Sequence, residues 1–219
     1  MAISRQAQLK MMVAKRKSDR RNAVDELKRG LILDAARKVF EAEGLEGASL
    51  RAIASAAGYT PAALYFHFES KEAIYGEALR RSLANLEATV KRQTSRAKQP
   101  ADQFRAAALA FFHYYEDNPR DLDLGFYLFR GGMKPHGLGK ERDRALNAAL
   151  DSALNPIATA AQTLGASRSE ARRIMVGIFA HATGLLLLAH TGRIRKFGVS
   201  ATDLMKSFVD DTIDALSQT

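Results

Sequence analysis

Residues 48–72 read ASLRAIASAAGYTPAALYFHFESKE, and their punctuation leaves few folds open. Ser49 is an N-cap residue ahead of LRAIASAA, in which Leu50, Ile53, Ala54 and Ala57 fall on one helical side. Gly58 stops that helix, since only glycine takes a left-handed C-terminal conformation at no steric cost. Thr60 caps a second helix, and Pro61 suits its first position, where a missing N–H loses nothing. Ser70 caps a third, with Glu72 favourable in the first turn. Two short helices joined by a three-residue turn meet the description of a helix-turn-helix. The first crosses the second through small residues, here Ala54, Ala56 and Ala57, and the second presents its N-terminal residues to a groove wide enough for one helix.

The rest of the chain carries helical signals and no convincing strand. RGLILDAARKVFEAEG places Leu31, Ile32, Ala35, Ala36, Val39 and Phe40 on one face and ends at Gly44. Further helices are expected from Lys71 to about Lys98, from Ala101 to Glu116, over RDLDLGFYLFRGG, and from about Glu141 to Leu164. Ser167-x-x-Glu170 is a capping box ahead of 168–191, and Ser200-x-x-Asp203 has the same form ahead of a final helix striped by Leu204, Phe208, Val209, Ile213 and Leu216. The expectation is an all-α protein of about nine helices. Residues 1–24 form a basic arm, 25–85 a three-helix helix-turn-helix head, and 86–219 a second helical domain.

Charge points to the partner. Residues 1–30 hold nine Lys/Arg against three acids, a surplus of six out of a chain total of +9. A basic arm on a nearly balanced body fits a polyanion, either nucleic acid or an anionic membrane, and the helix-turn-helix selects double-stranded DNA. The N-terminus lacks the apolar run of a secretion signal. IMVGIFAHATGLLLLAHTG, residues 174–192, is long enough to span a membrane, but its histidines, threonines and glycines and the arginines at both ends favour a buried helix of a soluble protein, with no membrane partner; a cytoplasmic location is expected. There is no cysteine, which excludes disulfides and thiolate chemistry. No Gly-x-Ser-x-Gly, no His-Glu-x-x-His and no phosphate-binding loop appears, and five histidines run from His67 to His190 without ligand spacing. The chain is expected to be neither an enzyme nor a holder of a metal or cofactor.

ILDAARKVFEAEGLEGASLRAIASAAGYTPAALYFHFESKEAIY resembles the DNA-binding segment of TetR-type transcriptional regulators over roughly residues 28–77. The resemblance rests on Ala35-Ala36, Phe40, Gly44, Ile53-Ala54, Ala57-Gly58, Leu64-Tyr65, Phe68 and Ser70-Lys71-Glu72. Tyr59 and Ala63 depart from the usual pattern. The resemblance implies that Leu64, Phe66 and Phe68 face inward, and that Tyr65 and His67 donate to DNA phosphates. Bases are then met by Thr60, Pro61, Ala62 and Ala63, while Ser49, Arg51 and Lys71 are further phosphate candidates. It also implies a homodimer through the last two helices, about 168–191 and 200–217, on a near-palindromic operator, and a small apolar or aromatic effector that tilts the heads off their half-sites. Phe111, Tyr115, Phe126, Tyr127, Arg130, Met133 and His181 are candidate pocket residues. The expected function is a ligand-responsive repressor; the alternative is an architectural DNA binder without an effector.

Overall fold

The computed structural model describes residues 5–125 and 137–218. Their order is α1 (Arg5–Gly47), α2 (Leu50–Ala57), α3 (Pro61–Tyr65), α4 (Lys71–Thr94), α5 (Pro100–Asp117), α6 (Pro119–Gly125), α7 (Lys140–Thr163), α8 (Arg168–His190), a 3-10 turn (Arg193–Phe197) and α9 (Ala201–Ser217). Every regular element among the described residues is helical, as expected. The chain divides into two compact units, residues 1–77 and 78–219, with the boundary inside α4. The loop GGMKPHGLGK falls largely outside the described residues.

The first unit is built on α1, which begins at Arg5, so the basic arm is continuous with the first helix of the head. Its regular turns end at Gly44 (φ 70°, ψ 178°), a backbone setting that a side chain would strain. The buried arc holds Ile32, Leu33, Ala35, Ala36, Val39 and Phe40. Leu31, expected on that face, is 53% exposed, and Leu33 takes its place. Helix α2 packs on α1 and α3. Its contact surface is Ile53 and Ala54, both fully buried; Ala56 is exposed and Ala57 half-buried, so the small-residue crossing narrows to Ala54. Phe40 meets the edge of Tyr75 at 4.8 Å and closes this core.

In the second unit α5 lies against α7, α8 and α9, and α8 lies against α7 and α9. Phe104, Phe111, Phe112 and Tyr115 of α5 are its buried centre. Ser167 accepts from the Glu170 N–H at 3.3 Å and Ser200 from the Asp203 N–H at 3.3 Å, so both capping serines start their helices where the sequence places them. Met205, Val209, Ile213 and Leu216 turn into their own unit. The expected α9 stripe is therefore largely consumed inside the protomer, with Leu204 left 39% exposed.

Helix α8 departs from the expectation of a buried helix. Ala171, Met175, Ile178, Ala182, Leu185 and Leu186 are covered, while Val176 and Leu187 are each 52% exposed and Ala180 and Gly184 are open between them. By length and composition it is the one described helix that could cross a membrane, and only 28% of its most apolar 18-residue window is buried.

Candidate nucleic-acid interface and ligand cavity

Helix α3 has five residues, far short of the roughly 12–15 an isolated helix needs, so its neighbours must hold it. The turn before it closes through Gly58 (φ 72°, ψ 27°), whose N–H reaches the Ser55 carbonyl at 3.2 Å while the Tyr59 N–H reaches the Ala54 carbonyl at 2.8 Å. This paired C-terminal closure satisfies two otherwise orphaned carbonyls. Ser49 accepts from the Ala52 N–H and Thr60 from the Ala63 N–H, each at 3.1 Å. Leu64 is fully buried and anchors α3 in the core.

What remains outward is an exposed surface of Ser49, Arg51, Thr60, Pro61, Ala62 and Tyr65, with Ala63 and His67 half-buried. Tyr65 is 59% exposed, and Tyr59 meets the His67 ring edge-on at 6.4 Å. Phe66 was expected inward and is 89% exposed. Helical geometry gives the reason: Leu64 and Phe68 lie four residues apart on the buried side, and Phe66 lies about 200° from Leu64. An aromatic ring this far out beside a hydroxyl-bearing ring makes an amphipathic edge at the end of α3.

Lys71 is not an outward cation. Its ammonium donates to the carbonyls of Leu45, Glu46 and Ala48 at 2.8, 3.1 and 3.2 Å, so its three donors close the α1–α2 turn. Arg29, one of the nine cations of residues 1–30, also turns inward. Its Nη1 donates to the His67 carbonyl at 2.7 Å, and its guanidinium lies 4.3 Å from the centre of the Phe68 ring. No linear pattern announces this, because its partners are 38 and 39 residues away. Along α1, Arg16, Lys17, Arg20, Arg21 and Lys28 fall within an arc of about 140°, while Lys15 lies with Asp19, Asp25 and Glu26 on the opposite arc.

Residues 32–78 match the family model of the bacterial regulatory proteins of the tetR family, ending within a residue of the boundary between the two units. Residues 32–78 form a TetR-family head. The transcriptional activator FasR of Mycolicibacterium smegmatis is 34% identical over 99 residues, 45% of this chain and 45% of FasR. The transcriptional repressor KstR2 of Rhodococcus jostii is 44% identical over 55 residues, 25% of this chain and 27% of KstR2. The matched stretches thus span from about a quarter to just under half of these relatives. Among solved structures, a putative transcriptional regulator from Pseudomonas aeruginosa superposes with a TM-score of 0.72 at 18% identity, over 88% of this chain and 91% of that one. The fatty acid degradation regulator FadR from Bacillus halodurans gives 0.66 at 17% identity, over 85% and 94%. At such identities the likeness is one of fold, and it extends beyond the TetR-family head across the helices of the second unit.

The second unit holds a cavity of about 120 Å³. Leu79 and Leu83 of α4, Leu146 and Leu150 of α7, and Phe179 and Thr183 of α8 face it, each pair four residues apart; Tyr115, Leu122, Gly125 and Asn147 complete the wall. Of the expected pocket residues, Tyr115 is in that wall. Phe111 is fully buried and packs edge-on against both Tyr115 (5.2 Å) and Phe179 (5.8 Å), supporting the wall from outside it. Burial pushes the Tyr115 phenol well above its ordinary range, so it stays protonated and keeps a donor. His181 is absent from the wall and stacks on Phe208 at 4.0 Å. Phe126, Tyr127, Arg130 and Met133 lie outside the described residues. No cluster of three metal-ligating side chains occurs among the described residues.

Proposed function

We propose that the chain is a DNA-binding transcriptional regulator that works as a homodimer and answers to a small apolar or aromatic ligand, a reading that carries a cytoplasmic location with it. The observation that carries it is the capped helix-turn-helix with Tyr65 and Phe66 open at the end of α3. Pro61, Ala62 and Ala63 offer no hydrogen bond to base edges, so their contribution to sequence reading is contact with thymine methyls. Tyr65, His67, Arg51 and the hydroxyls of Ser49 and Thr60 are the candidates for phosphate, which set register. The cations of α1 supply attraction that weakens with salt.

The uncovered side of α8 supports the dimer. Val176, Ala180, Gly184 and Leu187 recur on one face, and a side chain built at Gly177 or Gly184 meets nothing in its own chain. Small residues on an apolar exposed face allow a second helix to come close. The cavity supports the ligand, since leucines and Phe179 beside Tyr115, Asn147 and Thr183 suit a compact apolar group with one or two hydrogen-bonding atoms. FasR is named an activator and KstR2 a repressor. Both signs of regulation therefore accompany this kind of head, and the repressor reading rests on the expected effect of ligand on DNA affinity.

The experiment pairs two substitutions. Ala62→Asp puts a charge on the open side of α3 and is expected to abolish duplex binding with an unchanged melting temperature. Gly184→Arg is expected to convert a dimer to a monomer by sedimentation. Retention of duplex binding by Ala62→Asp contradicts the α3 interface, and a monomeric wild type contradicts the dimer. A second reading is favoured by the alanine-rich reading surface: a binder that recognises DNA shape and charge at many sites, without a ligand.

A further inference from the structure

The head contains two cations, one counted in the basic run of residues 1–30 and one a phosphate candidate by resemblance, that the geometry assigns elsewhere. Arg29 reaches from α1 to the chain just beyond α3. The His67 and Phe68 N–H groups both return to the Leu64 carbonyl, at 2.9 and 3.0 Å, so this is the last turn of α3 continued by one step. The guanidinium takes the carbonyl of His67 with one edge and covers the Phe68 ring with its face. Lys71 does the matching work on the other side of the motif, drawing the Leu45, Glu46 and Ala48 carbonyls to one ammonium. The segment so gathered leads directly into the Ser49 cap of α2.

We propose that Arg29 and Lys71 are positioning residues of the DNA-binding head, two internal clasps that fix α3 and the start of α2, and that they are not phosphate ligands. The proposal rests on the DNA-binding reading above. Its chemistry is specific to each side chain. A planar guanidinium combines a hydrogen bond with a stacked face, and a lysine ammonium at Arg29 loses the face-on contact. A compact ammonium sends three donors to three converging carbonyls, and a planar fork at Lys71 cannot follow them. A phosphate contact behaves in the opposite way, because phosphate accepts either cation.

The test uses the full chain and a duplex recovered from a random pool by the wild-type protein, together with a scrambled duplex of equal length. Arg29→Met and Lys71→Met are expected to weaken binding to the recovered duplex about tenfold and to narrow its advantage over the scrambled one, with the salt slope unchanged. The charge-conserving Arg29→Lys and Lys71→Arg are expected to show the same narrowing. A slope lowered by about 0.9 per substitution, with the advantage kept, identifies phosphate ligands and overturns the proposal. Full wild-type binding by both charge-conserving variants overturns it as well. Should the methionine variants fail to fold by circular dichroism, the charge-conserving pair decides. A wild-type protein that recovers no duplex fails the DNA-binding reading itself, before any variant is compared.

Discussion

The shortest α-helix among the described residues and one more than four times as long ask for opposite kinds of support. Helix α3 has five residues and is fastened at every point: a capped start, a glycine turn before it, one buried leucine and an arginine at its end. Helix α8 has 23 residues and needs no such fastening, but one side of it is left without cover. The first arrangement makes a rigid presenter of side chains. The second leaves an apolar surface open. Function in the head is held in backbone hydrogen bonds over short distances. In the second unit it is held in which apolar faces meet.

That contrast is broken or sharpened by substitution, starting with the core. Phe111→Ala removes a fully buried ring that braces Tyr115 and Phe179, and is expected to cost about 3–5 kcal/mol in urea unfolding, with loss of the dimer mass. Leu64→Ala is expected to cost about 2–5 kcal/mol and to remove duplex binding while the dimer mass stays. If each substitution abolished both properties, the two regions would not be separately organised and the contrast would fall. Thr60→Ala loses one cap and is expected to cost about 1 kcal/mol, with a proportionate loss of duplex affinity and none of dimerisation.

The smallest effect concerns pH. Burial of the His181 ring holds its pKa below the usual histidine value, against a backbone hydrogen bond with Leu204 that acts the other way, and its Nε2 is buried without a hydrogen-bond partner. A base with a lowered folded pKa is bound by fewer protons when folded. Its contribution to stability is therefore present above the unfolded value of about 6.5 and is lost as pH falls through the folded value. Wild type is expected to lose about 1–2 °C more than His181→Phe between pH 7 and pH 5 in a thermal melt. Equal losses would show that the stacked pair with Phe208 does not sense pH.

The sequence made the head legible because its signals are local. Ser49, Gly58, Thr60, Pro61 and Ser70 each act on backbone groups a few residues away, and all appear where their chemistry predicts. Phe66 is open although the family resemblance implies an inward ring, because the helical period sets it opposite Leu64 and Phe68 on the buried side. Arg29 and Lys71 could not be read, since one spans 38 residues and the other gathers three carbonyls that only the folded turn brings together. The cavity was half-legible. Its walls are ordinary four-residue pairs, Leu79 with Leu83, Leu146 with Leu150 and Phe179 with Thr183. Many such pairs exist along the chain, and nothing in a pair says which other pair it will face. For α9 the apolar stripe was visible, but its direction was not: most of it turns into its own unit.

The central claim is that a fastened α3 presents a DNA-reading surface in a two-fold protein. Selection of bound duplexes from a random pool at near-physiological salt, followed by sequencing, tests it most directly. The account predicts enrichment of a near-palindrome whose half-sites lie about one helical turn apart, 10–10.5 base pairs or a multiple of it. Tight, salt-sensitive binding with no enriched sequence, or no binding at all, would contradict it.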